Sequence, residues 1–242
     1  MKKIGIIGAM EVEVQKLKAD MEITRVVKKA SMEFCEGKLE GQDVVVVKCG
    51  IGKVDAGICV QILCDLFDVT HVINTGVAGS LDASIDIGDI VVSEDAVFHD
   101  VDATAIGYPI GEMPDLGIRF FPADKELVND IKKAAETISK KVGEGDTVAD
   151  KITLHFGRIC SGDQFLADDA KKKWIVDTFG GKCGEMEGAA VAQAAYLNHI
   201  PYVVIRAISD KADGSSSMDY PEFEKRAARD CAAIVEEVLK LI

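Results

Sequence analysis

Short runs of consecutive apolar residues alternate along the chain with stretches in which apolar residues recur at the spacing of a helix. Residues 4–9 form the first such run, which is typical of a strand buried on both faces of a sheet. Residues 23–29 and 32–39 predict a hairpin. Further strands are predicted at residues 44–48, 71–75, 89–98, 152–161, 183–187 and 202–209.

Helices are predicted between these runs, where the apolar positions follow a helical period. Asp124 fits the N-cap of one helix, and Pro221 fits the first turn of the last one. The glycine-rich segment 76–80 is predicted to be a turn, residues 99–122 an irregular excursion, and residues 213–219 a polar loop. The predicted helices span residues 12–17, 53–67, 124–140, 167–179, 188–197 and 221–239.

This alternation predicts a three-layer α/β/α fold with a central mixed, twisted sheet. Hydrophobic residues make up 48% of the 242 residues, which is enough to bury a sizeable core. No internal repeat, low-complexity tract or long linker divides the chain. Residues 1–242 are therefore expected to form a single domain.

The net charge, the apolar runs and the cysteines together argue against nucleic-acid-binding, membrane-spanning and disulfide-bonded proteins. The net charge of −13 and the lack of a Lys/Arg cluster make nucleic acid an unsuitable partner. No apolar run reaches the roughly 18 residues of a membrane span. The first apolar run is broken at Glu11 and Glu13, too early for a signal peptide, so a cytoplasmic protein is expected. The seven cysteines contain no C-x-x-C pair and are expected to be reduced core thiols.

Several short motifs can be set aside. Residues 5–8 lack the spacing of a dinucleotide fingerprint, and residues 50–53 resemble the end of a P-loop but have Val47 and Val54 where that motif needs other residues. His99, Asp100 and Asp102 are interpreted as a solvated polar turn and not as metal ligands. Neither a metal nor a cofactor is expected.

Polar and glycine-rich residues follow five of the predicted strands, where ligands of such sheets usually bind. They are residues 11–13, 50–53, 76–80, 185–187 and 206–210, and their ionisable members are mainly carboxylates with one arginine. Breaking the N-glycosidic bond of a purine nucleoside needs an acid for the departing base and a base for water. A further carboxylate can accept hydrogen bonds from the ribose hydroxyls.

The same segments carry a family resemblance. Residues 4–13 (IGIIGAMEVE), 50–54 (GIGKV), 74–79 (NTGVAG), 161–165 (SGDQF), 185–187 (EME) and 206–210 (RAISD) resemble, in order, those of the bacterial 5′-methylthioadenosine/S-adenosylhomocysteine nucleosidases. The resemblance covers essentially the whole chain. It implies a nucleoside-phosphorylase-like fold and hydrolysis of both nucleosides, and of 5′-deoxyadenosine, with release of adenine.

The resemblance also implies roles for the ionisable residues. Glu13 is similar to the base that holds the attacking water, and Asp210 to the acid that protonates adenine N7, with Ser209 orienting its carboxyl group. Arg206 resembles the arginine that orders the water and the carboxylates. The plainer alternatives are a first-turn acid for Glu13, a cap or surface turn for Asp210 and a structural ion pair for Arg206.

The substrate-binding residues follow from the same comparison. Glu187 resembles the ribose acceptor and Met186 the residue packed beside the sugar; the plainer alternatives are a helix-start acid for Glu187 and a core filler for Met186. Phe165 and Leu166 match positions at the adenine, with core packing as the alternative for both. The resemblance places three more residues at the substrate: Ile51, Val77 and Glu185.

The remaining implications concern a lid and a second subunit. Tyr220 matches an aromatic residue that closes over the ligand, although a solvated linker before it is an equally good interpretation. Ile106 and Tyr108 match a segment that lines the 5′-thioether pocket of the neighbouring subunit. That match implies a homodimer with shared active sites; an ordinary surface loop is the alternative.

Val77 departs from the family pattern, because many members have a serine at this position, near the water. Two carboxylates after the first strand, and no donor from the Val77 side chain, favour water over phosphate as the nucleophile. Two other functions stay open: another nucleosidase of the same fold, acting on futalosine or AMP, and a non-catalytic nucleoside-binding module.

Overall fold

Ten strands and six helices alternate along the part of the chain that the computed structural model describes, which is residues 2–142, 153–210 and 220–242. The strands are β1 (Lys3–Gly8), β2 (Glu22–Lys29), β3 (Met32–Leu39), β4 (Gln42–Lys48), β5 (His71–Ser80), β6 (Ile90–Phe98), β7 (Phe121–Pro122), β8 (Leu154–Ser161), β9 (Cys183–Glu185) and β10 (Tyr202–Asp210). The helices are α1 (Glu11–Asp20), α2 (Lys53–Phe67), α3 (Lys125–Val142), α4 (Asp169–Phe179), α5 (Gly188–Leu197) and α6 (Tyr220–Leu239).

The strands bury side chains on both faces of the sheet, as their continuous apolar runs predict. In β1, Ile4 and Ile6 belong to a core cluster with α1, α3 and α6, whereas Ile7 packs into the opposite cluster with α2 and α5. Neighbouring residues of β4 alternate between the two clusters in the same way, because successive side chains of a strand point to opposite faces. The three-layer α/β/α fold is confirmed.

The sheet is mixed, and part of it closes on itself. Strands β2, β3, β4, β1 and β5 follow one another across its open half. From β5 the pairing runs through β9, β8, β6 and β10, and β10 pairs with β5 again. The β5 to β10 and β6 to β8 pairs are parallel, whereas the β10 to β6 and β5 to β9 pairs are antiparallel. Five strands therefore form a closed ring, a feature that the apolar pattern does not predict.

Two sequence-based expectations about irregular segments are wrong. Residues 76–80 do not turn: β5 continues through Ser80, because Gly79 pairs with Gly184 of β9 and Val77 with Ala207 of β10. The segment after β6 is not a solvated turn either, since His99 is buried and Asp100 has only 14% of its side chain exposed. Of the three residues interpreted as a solvated turn, only Asp102 is exposed, and its carboxylate accepts hydrogen bonds from Thr104.

Most element boundaries agree with the prediction to within a few residues. Asp124 accepts hydrogen bonds from the backbone N–H groups of residues 126 and 127, which confirms it as the cap of α3. Residues 99–122 are mainly irregular as predicted, but contain the short 3₁₀ turn Thr104–Ile106 and strand β7. The predicted loop 213–219 lies outside the described residues. All seven cysteines are free, and the described residues contain no helix long and apolar enough to cross a membrane.

Candidate active site

One cavity collects most of the predicted residues at the ends of β1, β5, β9 and β10. Nine of them line it, with five residues that the sequence analysis assigned no role. The nine are Glu13, Ile51, Val77, Phe165, Glu185, Met186, Glu187, Ser209 and Asp210, and the five are Ala9, Met10, Ala78, Gly79 and Gly184. Leu166 lines an adjoining cavity that shares Phe165 and Asp210.

Glu13 reaches back from the first turn of α1 and is almost completely buried, with 4% of its surface exposed. Its Oε2 accepts hydrogen bonds from the N–H groups of Ala9 (2.7 Å) and Met10 (2.8 Å), and its Oε1 accepts one from Val77 (3.0 Å). A Cβ atom at position 76 would lie 2.5 Å from Oε1, so only glycine allows this approach. Burial raises the pKa of Glu13, although Arg206 and the three N–H donors oppose the rise.

Arg206 lies behind the cavity, on β10, with 2% of its surface exposed. Its Nη2 donates to Asn74 Oδ1 (2.6 Å) and to the Glu185 carboxylate, and stands 4.0 Å from Glu187 Oε2. Burial disfavours the guanidinium charge, but Glu185, Glu187 and Glu13 outweigh it and raise the pKa of Arg206. The arginine is therefore charged at any physiological pH and partly neutralises three buried carboxylates.

Glu185 uses its carboxylate to hold neighbouring protein groups. Its oxygens accept hydrogen bonds from Ser161 Oγ, from Arg206 and from the backbone N–H groups of Glu187 (3.1 Å) and Gly188 (2.8 Å). With these donors in place, the Glu185 side chain fixes the start of α5 and the arginine. Any direct contact with a ligand is thus expected from the backbone of Glu185.

Glu187 has fewer compensating donors than the other two carboxylates. Its Oε1 accepts one hydrogen bond, from the N–H of Gly52 (2.8 Å), and its charge is opposed by that of Glu185. Burial, followed by the repulsion from Glu185, raises the pKa of Glu187 to about 7. Near neutral pH a larger fraction of this carboxyl group is therefore protonated than for an ordinary glutamate.

Asp210 ends β10 on the other side of the cavity and is half-buried. Ser209 Oγ donates to Asp210 Oδ1 (3.1 Å), as the sequence analysis expected. A Cβ atom at position 79 would lie 2.9 Å from Oδ2, so Gly79 allows the carboxyl group to lie against β5. Burial raises the pKa of Asp210, while the Ser209 hydrogen bond and the charge of Lys172 oppose the rise. A raised pKa suits a group that must hold a proton before it donates it.

The rest of the lining is largely apolar. Ile51, Met186 and Phe165 contribute hydrophobic surface, and Phe165 is 73% exposed at the mouth of the cavity. None of the described residues that line this cavity is a lysine or an arginine. The site can therefore surround an uncharged, flat ligand and place carboxyl groups on two of its sides.

Three residues singled out in the sequence, Ile106, Tyr108 and Glu11, are not brought to this cavity by the described chain. Ile106 is 73% exposed on the 3₁₀ turn, and the hydroxyl of Tyr108 is 3.5 Å from Asp115. Tyr220 begins α6, but its side chain lies outside the described part of the structure. Glu11 points to solvent and pairs with Lys18 (3.0 Å), so only Glu13 of this pair faces the cavity.

Two buried residues behind the cavity had no predicted role. Asn74 accepts from Arg206 through Oδ1 and donates from Nδ2 to the carbonyl of Ile7 (3.0 Å). Ser161 donates to Glu185 and accepts from the N–H of Ala189 (2.7 Å). Both belong to segments that carry the family resemblance, and each is a polar residue at the end of an otherwise apolar run. A polar residue at such a position could have been predicted to bind one of the buried charged side chains.

The chain resembles known proteins over nearly its whole length. Residues 3–240 match the phosphorylase superfamily. The chain is 41% identical to the 5′-methylthioadenosine/S-adenosylhomocysteine nucleosidase of Psychromonas ingrahamii over 98% of both chains. The nucleosidase of the same name from Colwellia psychrerythraea 34H, solved in complex with adenine, superposes with a TM-score of 0.89 at 40% identity, covering 98% of this chain and 94% of that one.

A neighbour of different specificity has the same fold. The futalosine hydrolase of Helicobacter pylori superposes with a TM-score of 0.89, covering 100% of this chain and 98% of that one, but at 30% identity. The higher identity to the methylthioadenosine enzymes extends over nearly the full length of both chains. The chain belongs to the 5′-methylthioadenosine/S-adenosylhomocysteine nucleosidase family of the phosphorylase superfamily.

Proposed function

We propose that this chain hydrolyses the N-glycosidic bond of 5′-methylthioadenosine and S-adenosylhomocysteine, and also of 5′-deoxyadenosine, releasing adenine. Asp210 is the acid that protonates adenine N7, and Glu13 is the base that takes a proton from the attacking water. The observation that carries this proposal is the pair of carboxyl groups, both with raised pKa, that line one largely apolar cavity.

The charges around the cavity favour water as the nucleophile. A phosphate dianion needs cationic or N–H donors where it attacks. Here Arg206 is already engaged by Glu185 and Asn74, and the Val77 N–H is used by Glu13. A phosphate beside Glu13 and Glu187 would be repelled, whereas a neutral water can donate to a carboxylate.

The ribose is proposed to bind at Glu187, whose carboxylate accepts hydrogen bonds from the sugar hydroxyls. Its Oε1 is held by Gly52, which leaves lone pairs on both oxygens for a ligand. Met186 and Ile51 supply apolar surface beside the sugar, and Phe165 supplies a flat face for the adenine ring. Arg206 and Ser209 act by orienting the carboxyl groups.

Affinity for nucleosides is expected to fall at acid pH, because Glu187 has a pKa raised to about 7. The carboxylate is the form that accepts from the ribose, and it is lost as the pH falls through this pKa. The Kd of a non-hydrolysable adenosine analogue should therefore rise about tenfold between about pH 8 and about pH 6. Calorimetric titration at several pH values measures this change.

The Glu187→Gln variant is the control for that titration. It should bind the analogue weakly at every pH, with no change over this interval, because the titrating group is gone. Adenine alone, which has no ribose, should show no such dependence in the wild-type protein. A Kd for the analogue that stays constant between about pH 8 and about pH 6 would contradict the role of Glu187.

Val77 is expected to matter through its backbone and not through its side chain. Glu13 is held by the Val77 N–H, which a serine would supply equally well. The Val77→Ser variant should therefore keep kcat within about threefold of the wild type, since the catalytic carboxyl groups keep their positions. Steady-state kinetics with methylthioadenosine measure this, and a change of about a hundredfold or more would show that the side chain itself positions the water.

A panel of nucleosides tests the proposed specificity. The release of free adenine is measured with methylthioadenosine, adenosylhomocysteine and 5′-deoxyadenosine, and the release of the corresponding base with futalosine and AMP. The proposal predicts the highest kcat/KM for the first two. A higher kcat/KM for futalosine would assign the chain to the other activity of this fold, and binding of all five without turnover would make it a nucleoside-binding module.

A homodimer with shared active sites is part of the same proposal, with residues 1–242 as one domain in each subunit. An apolar groove lies between α2 and α5 and beside the excursion that holds Ile106 and Tyr108. Val54 and Leu197 in this groove, and Ile58 on the neighbouring turn of α2, are more than 40% exposed. Exposed apolar surface of this kind is typical of a contact between subunits, and it would place the excursion near a partner.

The cellular setting follows from the proposed substrates. Methylthioadenosine and adenosylhomocysteine are sulfur-containing by-products of adenosylmethionine chemistry, so the release of adenine from them would serve methionine salvage in the cytoplasm. The net charge of −13 is typical of a soluble enzyme for small molecules and gives no affinity for nucleic acid. Neither a cofactor nor a metal is required by the proposed acid and base chemistry.

A further inference from the structure

The segment after β6 forms an ion-pair cluster beside the cavity. Asp100 Oδ2 accepts hydrogen bonds from Lys53 Nζ (2.6 Å) and from the backbone N–H of Asp163 (3.0 Å). Asp163 Oδ1 in turn accepts from the backbone N–H of Lys53 (2.9 Å), and its Oδ2 is 3.7 Å from Lys53 Nζ. We call these three residues, Lys53, Asp100 and Asp163, the clasp.

The clasp joins two loops that both line the candidate active site. Lys53 is the first residue of α2 and directly follows Gly52, whose N–H donates to Glu187. Asp163 lies on the loop after β8, two residues before Phe165. Asp100 contacts both loops and does not itself line the cavity. It is therefore placed to set the distance between the ribose side and the base side of the site.

The surroundings of Asp100 make this contact stronger than a surface ion pair. Its side chain is 14% exposed and that of Lys53 25%, so solvent screens the pair only partly. Burial acts to raise the pKa of Asp100, but the hydrogen bonds from Lys53 and Asp163 outweigh it and lower the pKa. The carboxylate is thus ionised throughout the physiological range, and the clasp is closed in that form.

Packing beneath the loop 162–166 also holds this loop in place. The ring of His99 is buried against Gly162. The backbone N–H of His99 donates to the backbone carbonyl of Ser161 (2.9 Å). A side chain at position 162 would overlap the ring of His99. The beginning of the loop is therefore fixed from below by His99 and at its side by Asp100, which leaves Phe165 in a defined place at the mouth.

We propose that Asp100 is a positioning residue for substrate binding. It holds the loop 162–166 against the turn 50–52, so that the nucleoside is contacted on its base side and on its ribose side at once. The proposal rests on the function proposed above and adds a residue that contacts neither the substrate nor the reacting atoms. Loss of the clasp lowers affinity for the adenine ring, while Glu13 and Asp210 keep their own hydrogen-bond partners.

The Asp100→Asn variant tests this directly, because asparagine keeps the size of the side chain and removes its charge. The Kd for adenine and the KM for methylthioadenosine should each rise about tenfold, as expected when a charge-assisted hydrogen bond that orders a loop is lost. The kcat should stay within about threefold of the wild type. Lys53→Met should give the same pattern, and the double variant should be no worse than either single one.

Asp43→Asn is the matched control. It also removes the carboxylate from a lysine–aspartate pair, with Lys38 at 2.8 Å, but on the β3–β4 hairpin and away from the cavity. Its Kd and KM should equal those of the wild type. Melting temperatures and sedimentation, measured for every variant, give the folded fraction and the subunit state.

The outcomes separate this proposal from the proposed function. If the wild-type protein binds adenine and Asp100→Asn binds it equally well, the clasp proposal is wrong and the proposed function stands. A fall in kcat at unchanged KM, additive effects of the two substitutions, or a loss that disappears once subunits reassociate at higher concentration would each overturn it as well. A wild-type protein that binds no adenine would contradict the function itself.

Discussion

Replacing Glu13 with glutamine is expected to lower kcat for methylthioadenosine by about 10²- to 10⁴-fold, the usual contribution of a positioned general base. Glutamine fills the same space but cannot take a proton from water. Its amide group also turns an N–H donor toward one of the three backbone N–H groups that now bind the carboxylate. Adenine affinity should change little, because the adenine ring is proposed to bind beside Asp210 and Phe165 and away from Glu13. Single-turnover kinetics and adenine titration separate the two effects.

Glu11→Gln is the matched control for this experiment. It makes the same chemical change in the same turn of α1, but at a side chain that points to solvent and pairs with Lys18. Its kcat should equal that of the wild type. Equal losses in the two variants would mean that the charge near the start of α1, and not a base at Glu13, supports turnover.

Asp210→Asn is expected to lower kcat by a similar factor, about 10²- to 10⁴-fold, because the departing adenine is no longer protonated. Asparagine can still accept from Ser209 but has no proton to give to adenine N7. If Asp210 is the acid, as proposed, its protonated form is the active one, so kcat/KM should fall as the pH rises through its pKa. Because burial raises that pKa, activity persists to higher pH than for an ordinary aspartate, and the variant should lose this limb of the profile.

A change of leaving group distinguishes the two catalytic roles. A 5′-methylthioribosyl substrate with a nitrophenolate leaving group needs no protonation, so the Asp210→Asn variant should hydrolyse it at nearly the wild-type rate. The Glu13→Gln variant should stay slow with this substrate, because water must still be activated. Recovery of both variants, or of neither, would contradict the assignment of acid to Asp210 and base to Glu13.

Much of the fold could be predicted because the apolar runs are long and uninterrupted. Strands such as β1 and β4 bury both faces, and this leaves a continuous pattern that periodicity detects. The end of β5 was predicted wrongly for a specific reason. Gly76 and Gly79 are usually signs of a turn, but here they lie within a strand, because Glu13 and Asp210 pack directly over their Cα atoms.

The closed ring of strands could not be predicted from local patterns. It depends on β10 pairing with both β5 and β6, which are separated from it by more than a hundred residues. Such long-range pairing leaves no periodic signal in the sequence. The ring matters for the site, because it brings Asp210 on β10 next to Gly79 on β5.

The sequence could predict which residues line the cavity where an ionisable side chain itself faces it. Glu13, Glu187 and Asp210 meet this condition, and the resemblance placed them together. The sequence did not predict the residues that act by hydrogen-bonding and orienting other side chains or loops. Asn74 and Ser161 are uncharged and act through Arg206 and Glu185. The sequence predicts that Asp100 is solvated, because a polar residue after a strand usually is, but Lys53 binds its carboxylate.

The fate of the sugar decides whether this cavity cleaves nucleosides with water. Methylthioadenosine is incubated with the wild-type protein in ¹⁸O-labelled water, with EDTA present and with or without phosphate, and the sugar product is analysed by mass spectrometry. We expect free 5-methylthioribose that carries one ¹⁸O atom, formed at the same rate with and without phosphate. Methylthioribose 1-phosphate, or release of adenine only when phosphate is added, would contradict it.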